Sequence, residues 1–161
     1  MRNRPFRFLE VDAGGQTFKL RSGYHYSADG VWVRIRGGCP CMGRVARIGV
    51  SEPFASHGQN VEAVTLPERD TRVQRGDIVA KIAAGGREWA VASPISGKVI
   101  AVNTLLETEP QWVGRDAYDV GWLAILRPAR PTKVDTQELF TAEEYGIYVT
   151  NEKRAEAGPA R

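Results

Sequence analysis

The chain has 161 residues, of which 42% are hydrophobic and 25% charged, with a formal net charge of +3. That balance suits about one folded domain with a sizeable core and excludes a globally disordered chain. No apolar run approaches the ~20 residues of a membrane-spanning helix. The basic start Met1-Arg-Asn-Arg-Pro-Phe-Arg7 has no apolar stretch behind it of the kind a secretory signal needs, so a cytoplasmic protein without a membrane partner is expected.

Seventeen glycines and nine prolines punctuate short β-branched runs, the pattern of many strands joined by turns. Residues 1–23 are set apart as an N-terminal extension. Asp29-Gly30 is a strong turn pair that opens a strand over 31–36, with 44–50 as its partner. Between them lies the glycine-bracketed loop Gly37-Gly-Cys-Pro-Cys-Met-Gly43. Arg34, Arg36, Arg44 and Arg47 alternate with apolar neighbours, which reads as the solvated side of strands and not as a nucleic-acid face. A short helix is expected over 51–57, with Ser51 as N-cap and Pro53 in the first turn. Further strands are expected over 60–66, 77–83, 87–92, 97–102 and 121–126. Residues 66–77 and 93–99 both read as turn, strand, turn. Two such halves wrapped together would leave Gly85-Gly86 at the surface.

Pro128-Ala-Arg-Pro131 then breaks the pattern, and a helical segment over 132–150 follows. Asp135-Thr-Gln-Glu138 and Thr141-Ala-Glu-Glu144 both fit a capping box. Leu139, Phe140, Tyr145, Tyr148 and Val149 fall on one helical face. Residues 151–161 read as a frayed tail. Many short strands with one terminal helix give a mainly β sandwich or barrel with helical decoration.

No catalytic constellation is visible, and the chain does not read as an enzyme. His25 and His57 read as structural or exposed. Ser51 and Ser93 lack a nucleophile elbow, and there is neither a phosphate loop nor zinc-finger spacing. Cys39 and Cys41 are the two cysteines of the chain, one residue apart. They read as incidental thiols, as a redox or sulfur-carrying pair, or as two ligands of a soft metal, although structural zinc needs four.

The segment Val91-Ala-Ser-Pro-Ile-Ser-Gly-Lys-Val-Ile-Ala-Val-Asn103, followed by Pro110, Tyr118 and Gly121-Trp122, resembles the H proteins of the glycine cleavage system. Tyr24-His-Tyr-Ser-Ala-Asp-Gly-Val-Trp-Val-Arg34, Val45-Ala-Arg-Ile-Gly-Val-Ser51, Leu66-Pro67, Gly76-Asp77 and Glu138-Leu-Phe-Thr-Ala-Glu-Glu-Tyr145 extend the resemblance from about residue 24 to 149. It implies a lipoyl/biotinyl-type barrel-sandwich hybrid, with two antiparallel sheets over 24–131, short helices and a C-terminal helix packed on them. Within that fold Trp32 and Trp122 are expected as core plugs. Gly97 and Gly121 are expected at turns or close approaches, and Pro94 at a strand entrance.

In that family a lysine eight residues before the proline of Ser-Pro-Val-Ser-Gly carries the lipoyl arm. Counting back from Pro94 gives Gly86, with Ala83-Ala84 in place of the family's Glu-Ser pair. Arg87 cannot substitute, because a guanidinium stays protonated and is a poor acyl acceptor. Lys81 and Lys98 are expected on strands, and Lys19, Lys133 and Lys153 outside the hairpin. The resemblance therefore implies a carrier fold without its attachment amine and without a cofactor. Its expected role is partner docking on enzymes that meet lipoyl carriers, with Cys39 and Cys41 as a dithiol that could replace the lost arm. The alternative is a lipoyl carrier modified at an atypical lysine, holding the aminomethyl group left by glycine decarboxylation. A metal or sulfur chaperone unrelated to lipoyl chemistry is the third reading.

Overall fold

Runs in which β-branched and polar residues alternate become strands in the computed structural model, which describes residues 7–37, 43–55 and 60–156. The strands are β1 (Phe8–Ala13), β2 (Gln16–Arg21), β3 (His25–Tyr26), β4 (Val31–Gly37), β5 (Arg44–Val50), β6 (Val61–Thr65) and β7 (Arg72–Val73). They continue with β8 (Ile78–Ala84), β9 (Arg87–Ala92), β10 (Gly97–Val102), β11 (Ala124–Pro128) and β12 (Phe140–Thr141). Helices are α1 (Glu52–Ala55), α2 (Leu105–Thr108), α3 (Trp112–Arg115), α4 (Thr132–Thr136) and α5 (Ala142–Glu156).

A seven-stranded sheet in the order β12-β3-β4-β5-β11-β10-β7 faces a three-stranded sheet in the order β6-β8-β9. Neighbouring strands are antiparallel throughout. The inward rows of both sheets, including Val33, Ile48, Leu126 and Val99 from one and Ile82 and Val91 from the other, make the main core. Because side chains alternate across a strand, the residues between them must face outward. The two turn-strand-turn segments pair with each other, Gly97 opposite Val73 and Lys98 opposite Arg72.

A second, aromatic core lies beyond the β3–β4 end of the large sheet. Trp32 is fully buried there, and its indole N–H donates to the carbonyl of Ala117 at 3.0 Å. Gly49 lies opposite Trp32 because the indole leaves no room for a side chain; a Cβ there would sit 2.5 Å from Trp32 Cζ2. Tyr26 and Tyr145 stack at 4.8 Å. Tyr118 donates its hydroxyl to the carbonyl of Lys19 at 2.5 Å and accepts the N–H of Glu52 at 3.1 Å.

Several expectations shift. The N-terminal extension contains a folded hairpin, β1–β2, whose Phe18 and Leu20 complete the aromatic core. The strand expected over 121–126 begins at Ala124. The backbone at Gly121 is occupied by a close approach instead, and a Cβ there would lie 2.4 Å from the Trp112 carbonyl oxygen. Thr141 and Glu144 form the expected capping box, with Glu144 N–H donating to Thr141 Oγ1 and Thr141 N–H to Glu144 Oε1. Asp135-Glu138 does not cap a helix: Asp135 is buried inside α4, its Oδ1 3.5 Å from Arg130 Nε. The helix α5 runs on to Glu156, past the expected start of the tail at 151, and Lys153 and Arg154 complement the dipole of its last turn.

Candidate functional site

The hairpin β8–β9 carries the candidate site. Ala84 pairs with Arg87, so the connection is the two-residue turn Gly85-Gly86. Both glycines have positive φ, +58° and +75°, as a type I′ hairpin turn requires at its two central positions. Both are exposed, and a Cβ built on either meets nothing within 4 Å. Gly86 thus stands at an open tip with room for a side chain, yet the turn itself offers no nucleophile or amine.

The nearby amines stand elsewhere. Lys81 projects from the outer face of β8, where Ala90 is its cross-strand neighbour. Its Nζ lies 3.6 Å from Glu88 Oε1, with about half of the side chain exposed (50%). Lys98 is the second residue of β10 and pairs with Asp70 at 3.7 Å. Lys19 lies in β2 with its amine 5.7 Å from the Phe8 ring centroid, and Lys153 lies in α5. No lysine amine of the described side chains belongs to the turn, so an acyl arm has no attachment point at residues 85–86.

Behind the hairpin, residues 93–97 anchor its base. Ser93 N–H donates to the Asp77 carbonyl and Gly76 N–H to the Ser93 carbonyl, which closes the strand pair. Ser93 Oγ donates to the Ile95 carbonyl at 2.6 Å, and Ser96 Oγ accepts from Arg75 N–H and from Arg130. Pro94 is buried at this strand entrance. Gly97 is a close approach, since a Cβ would sit 2.5 Å from the Arg127 carbonyl oxygen.

Cys39 and Cys41 lie outside the described residues, as does His57. The strands that flank the cysteine loop are in register up to Gly37 opposite Arg44. His25 is half-buried in β3, and burial lowers its pKa against the opposing pull of Glu144, so it is neutral at neutral pH. Among the described residues no group of three or more histidine, cysteine, aspartate or glutamate side chains could hold a metal. An open cleft of about 390 Å³ is lined by Phe18, Glu52, Asn60 and Arg115 among others, and none of its lining residues comes from β8 or β9.

One of the two expected core tryptophans differs in kind. Trp32 is a core plug, but Trp122 is only half-buried and carries the Arg47 guanidinium 5.4 Å from its ring centroid. Of the arginines expected on solvent faces, Arg34, Arg36 and Arg47 are joined by Arg127, Lys98 and Arg72 into one row, because the antiparallel register sets them side by side, whereas Arg44 has the parity of the inward Ala46 and Ile48. Alternation within each strand signalled each residue alone and not their assembly.

A two-sheet sandwich whose long hairpin ends in a bare exposed turn, closed by a C-terminal helix, is the architecture of a carrier of the lipoyl class. The chain belongs to the glycine cleavage H-protein family, whose model matches residues 24–152. It is similar to glycine cleavage system H protein 4 of Aquifex aeolicus, 29% identical over 134 residues, which cover 83% of this chain and 74% of the relative. The glycine cleavage system H protein of Anoxybacillus flavithermus is 31% identical over 120 residues, covering 74% and 88%. Among solved structures, the crystal structure of a glycine cleavage system H protein from Mycobacterium marinum superposes with a TM-score of 0.69 at 26% identity, covering 80% of this chain and 97% of that one. Members of this family are protein-borne carriers and not enzymes; they normally hold lipoate covalently and interact with glycine cleavage enzymes. The β1–β2 hairpin precedes the matched region.

Proposed function

We propose that this protein is a non-lipoylated member of the H-protein family that acts by docking on partner enzymes, in the cytoplasm, and not by carrying an intermediate on a lipoyl arm. The observation that carries this reading is the turn Gly85-Gly86, an exposed hairpin tip with no amine where the family resemblance puts the arm. A carrier works because a tethered group swings between active sites. Without the tether, what remains is a rigid β scaffold that a partner of lipoyl carriers can recognise. Cys39 and Cys41 are the thiols that could take over sulfur chemistry in such a complex, and Arg36 and Arg44, next to their loop in sequence, are of the charge that favours thiolate.

Incubation with lipoate, ATP and a lipoate ligase tests the reading by intact mass. The native chain is expected to keep its unmodified mass. The triple variant Ala83→Glu, Ala84→Ser, Gly86→Lys, its fold verified by thermal unfolding because the +75° φ at Gly86 strains any other residue, is expected to gain a lipoyl group, since the tip has open space for the new side chain. An adduct on Lys81 or Lys98 of the native chain would establish the atypical-lysine carrier instead. Failure of the triple variant would show that the hairpin is no longer presented as a carrier's is.

A further inference from the structure

One outer face of the seven-stranded sheet is a row of cations. Arg34 of β4 is directly opposite Arg47 of β5, and Arg36 follows two residues along the same face. Arg47 is opposite Ile125 of β11, and two residues on Arg127 is opposite Lys98 of β10, itself opposite Arg72 of β7. Five adjacent strands therefore present six cations, interleaved with the half-buried Val45 and Ile125. At about 4.8 Å per strand the row is roughly 19 Å wide. Like charges directly opposite one another on a sheet are mutually destabilising. At one end of the row Asp70 pairs with Lys98 at 3.7 Å. Arg36, Arg72 and Arg127 are all exposed. Arg34 feels the crowding: burial depresses its pKa, and the charges of Arg36, Arg47 and Arg21 act in the same direction against Tyr24.

We propose that this sheet face is the docking surface for a partner protein that presents a carboxylate-rich segment. The proposal rests on the docking role put forward above and names the surface that performs it. Guanidinium groups match carboxylates in a planar, bidentate geometry, and a flat row of them spaced by the strands suits an extended acidic segment. Nucleic acid fits less well. Tyr24 already has Arg21 and Arg34 each 5.9 Å from its ring centroid, and Trp122 has Arg47, so these rings are not free platforms on which bases could stack.

The test is fluorescence anisotropy of the full chain with a labelled short polyglutamate peptide, and with an oligothymidylate of similar charge. Two double variants carry the same loss of charge: Arg36→Gln/Arg127→Gln on the row, and Arg115→Gln/Arg154→Gln away from it. All four positions are exposed, and thermal unfolding of each variant verifies the fold. Expected is saturable polyglutamate binding that weakens with salt. The row variant should bind at least about fivefold more weakly, and the control should stay within about twofold of the parent chain. Equal weakening in both variants would overturn the proposal, as would absence of saturable binding. Tighter binding of oligothymidylate than of polyglutamate would overturn it in favour of a nucleic-acid face. A lipoyl adduct on the native chain would refute the non-lipoylated reading without changing this result. Loss of the surface would leave the missing amine untouched.

Discussion

Tyrosine hydroxyls do much of the polar work in the aromatic core, and burial moves their titration. Burial raises the pKa of Tyr145 to about 12, partly offset by its 3.0 Å hydrogen bond with Ser51 Oγ. Tyr26 and Tyr118 are raised further, again chiefly by burial. Each of these groups is neutral when protonated, so the folded state holds its proton more tightly than the unfolded chain does. Their stabilising contribution is complete below the unfolded value near 10 and is lost as pH rises through the folded values. Stability measured by urea unfolding is therefore expected to be insensitive to these groups at neutral pH and to fall from about pH 10 upward. Tyr145→Phe should flatten part of that fall. An unchanged alkaline profile in that variant would show that Tyr145 titrates as an exposed phenol. At this scale the sequence was legible where geometry is local. Gly85-Gly86 could be placed at a turn because two consecutive glycines suit two positive φ angles. The half-exposed setting of Trp122 was not legible, because it depends on Arg47, 75 positions away, crossing its ring.

The β1–β2 hairpin shows how an element outside the family match can be integral to the fold. Leu20 is fully buried between the hairpin and the large sheet, Tyr26 exchanges two hydrogen bonds with the backbone of Arg21, and Tyr118 clamps Lys19. Leu20→Ala is expected to cost about 2–5 kcal/mol, as for other buried leucines. Tyr118→Phe should cost about 1–3 kcal/mol, since it leaves the Glu52 N–H and the Lys19 carbonyl without their partner. Chemical denaturation of the two variants measures both. Values near zero would mean that the hairpin is a loosely attached appendage. The signal for this element was present in the sequence: Gly14-Gly15 sits between alternating runs and closes the pair Ala13 opposite Gln16. Its strands are short and half of their residues are exposed, so a reading led by longer apolar runs passes over them. The opposite error occurred at Asp135-Glu138. A capping-box spacing was present, but Asp135 is drawn into the protein beside Arg130, and the true N-terminal box is the next one, at Thr141.

Across the whole molecule, most strand positions and the two-sheet antiparallel class followed from the sequence because each strand announces its own turns and its own buried row. Motif order from Tyr24 to the C-terminal helix then specified the sandwich, and the family match covers the same stretch. Surface assembly was a different matter. The cationic row draws on β4, β5, β11, β10 and β7, which are scattered from residue 34 to 127, and only pairing brings them to one face. The proposed role turns on the bare tip at Gly86, and it is tested most directly by the intact mass of the protein isolated from its native cell, with peptide mapping of every lysine. The expected result is the mass of the unmodified polypeptide at the lysines, with no lipoyl group on Lys81, Lys98 or any other. A stoichiometric lipoyl adduct on any lysine would contradict it and make the protein a carrier after all.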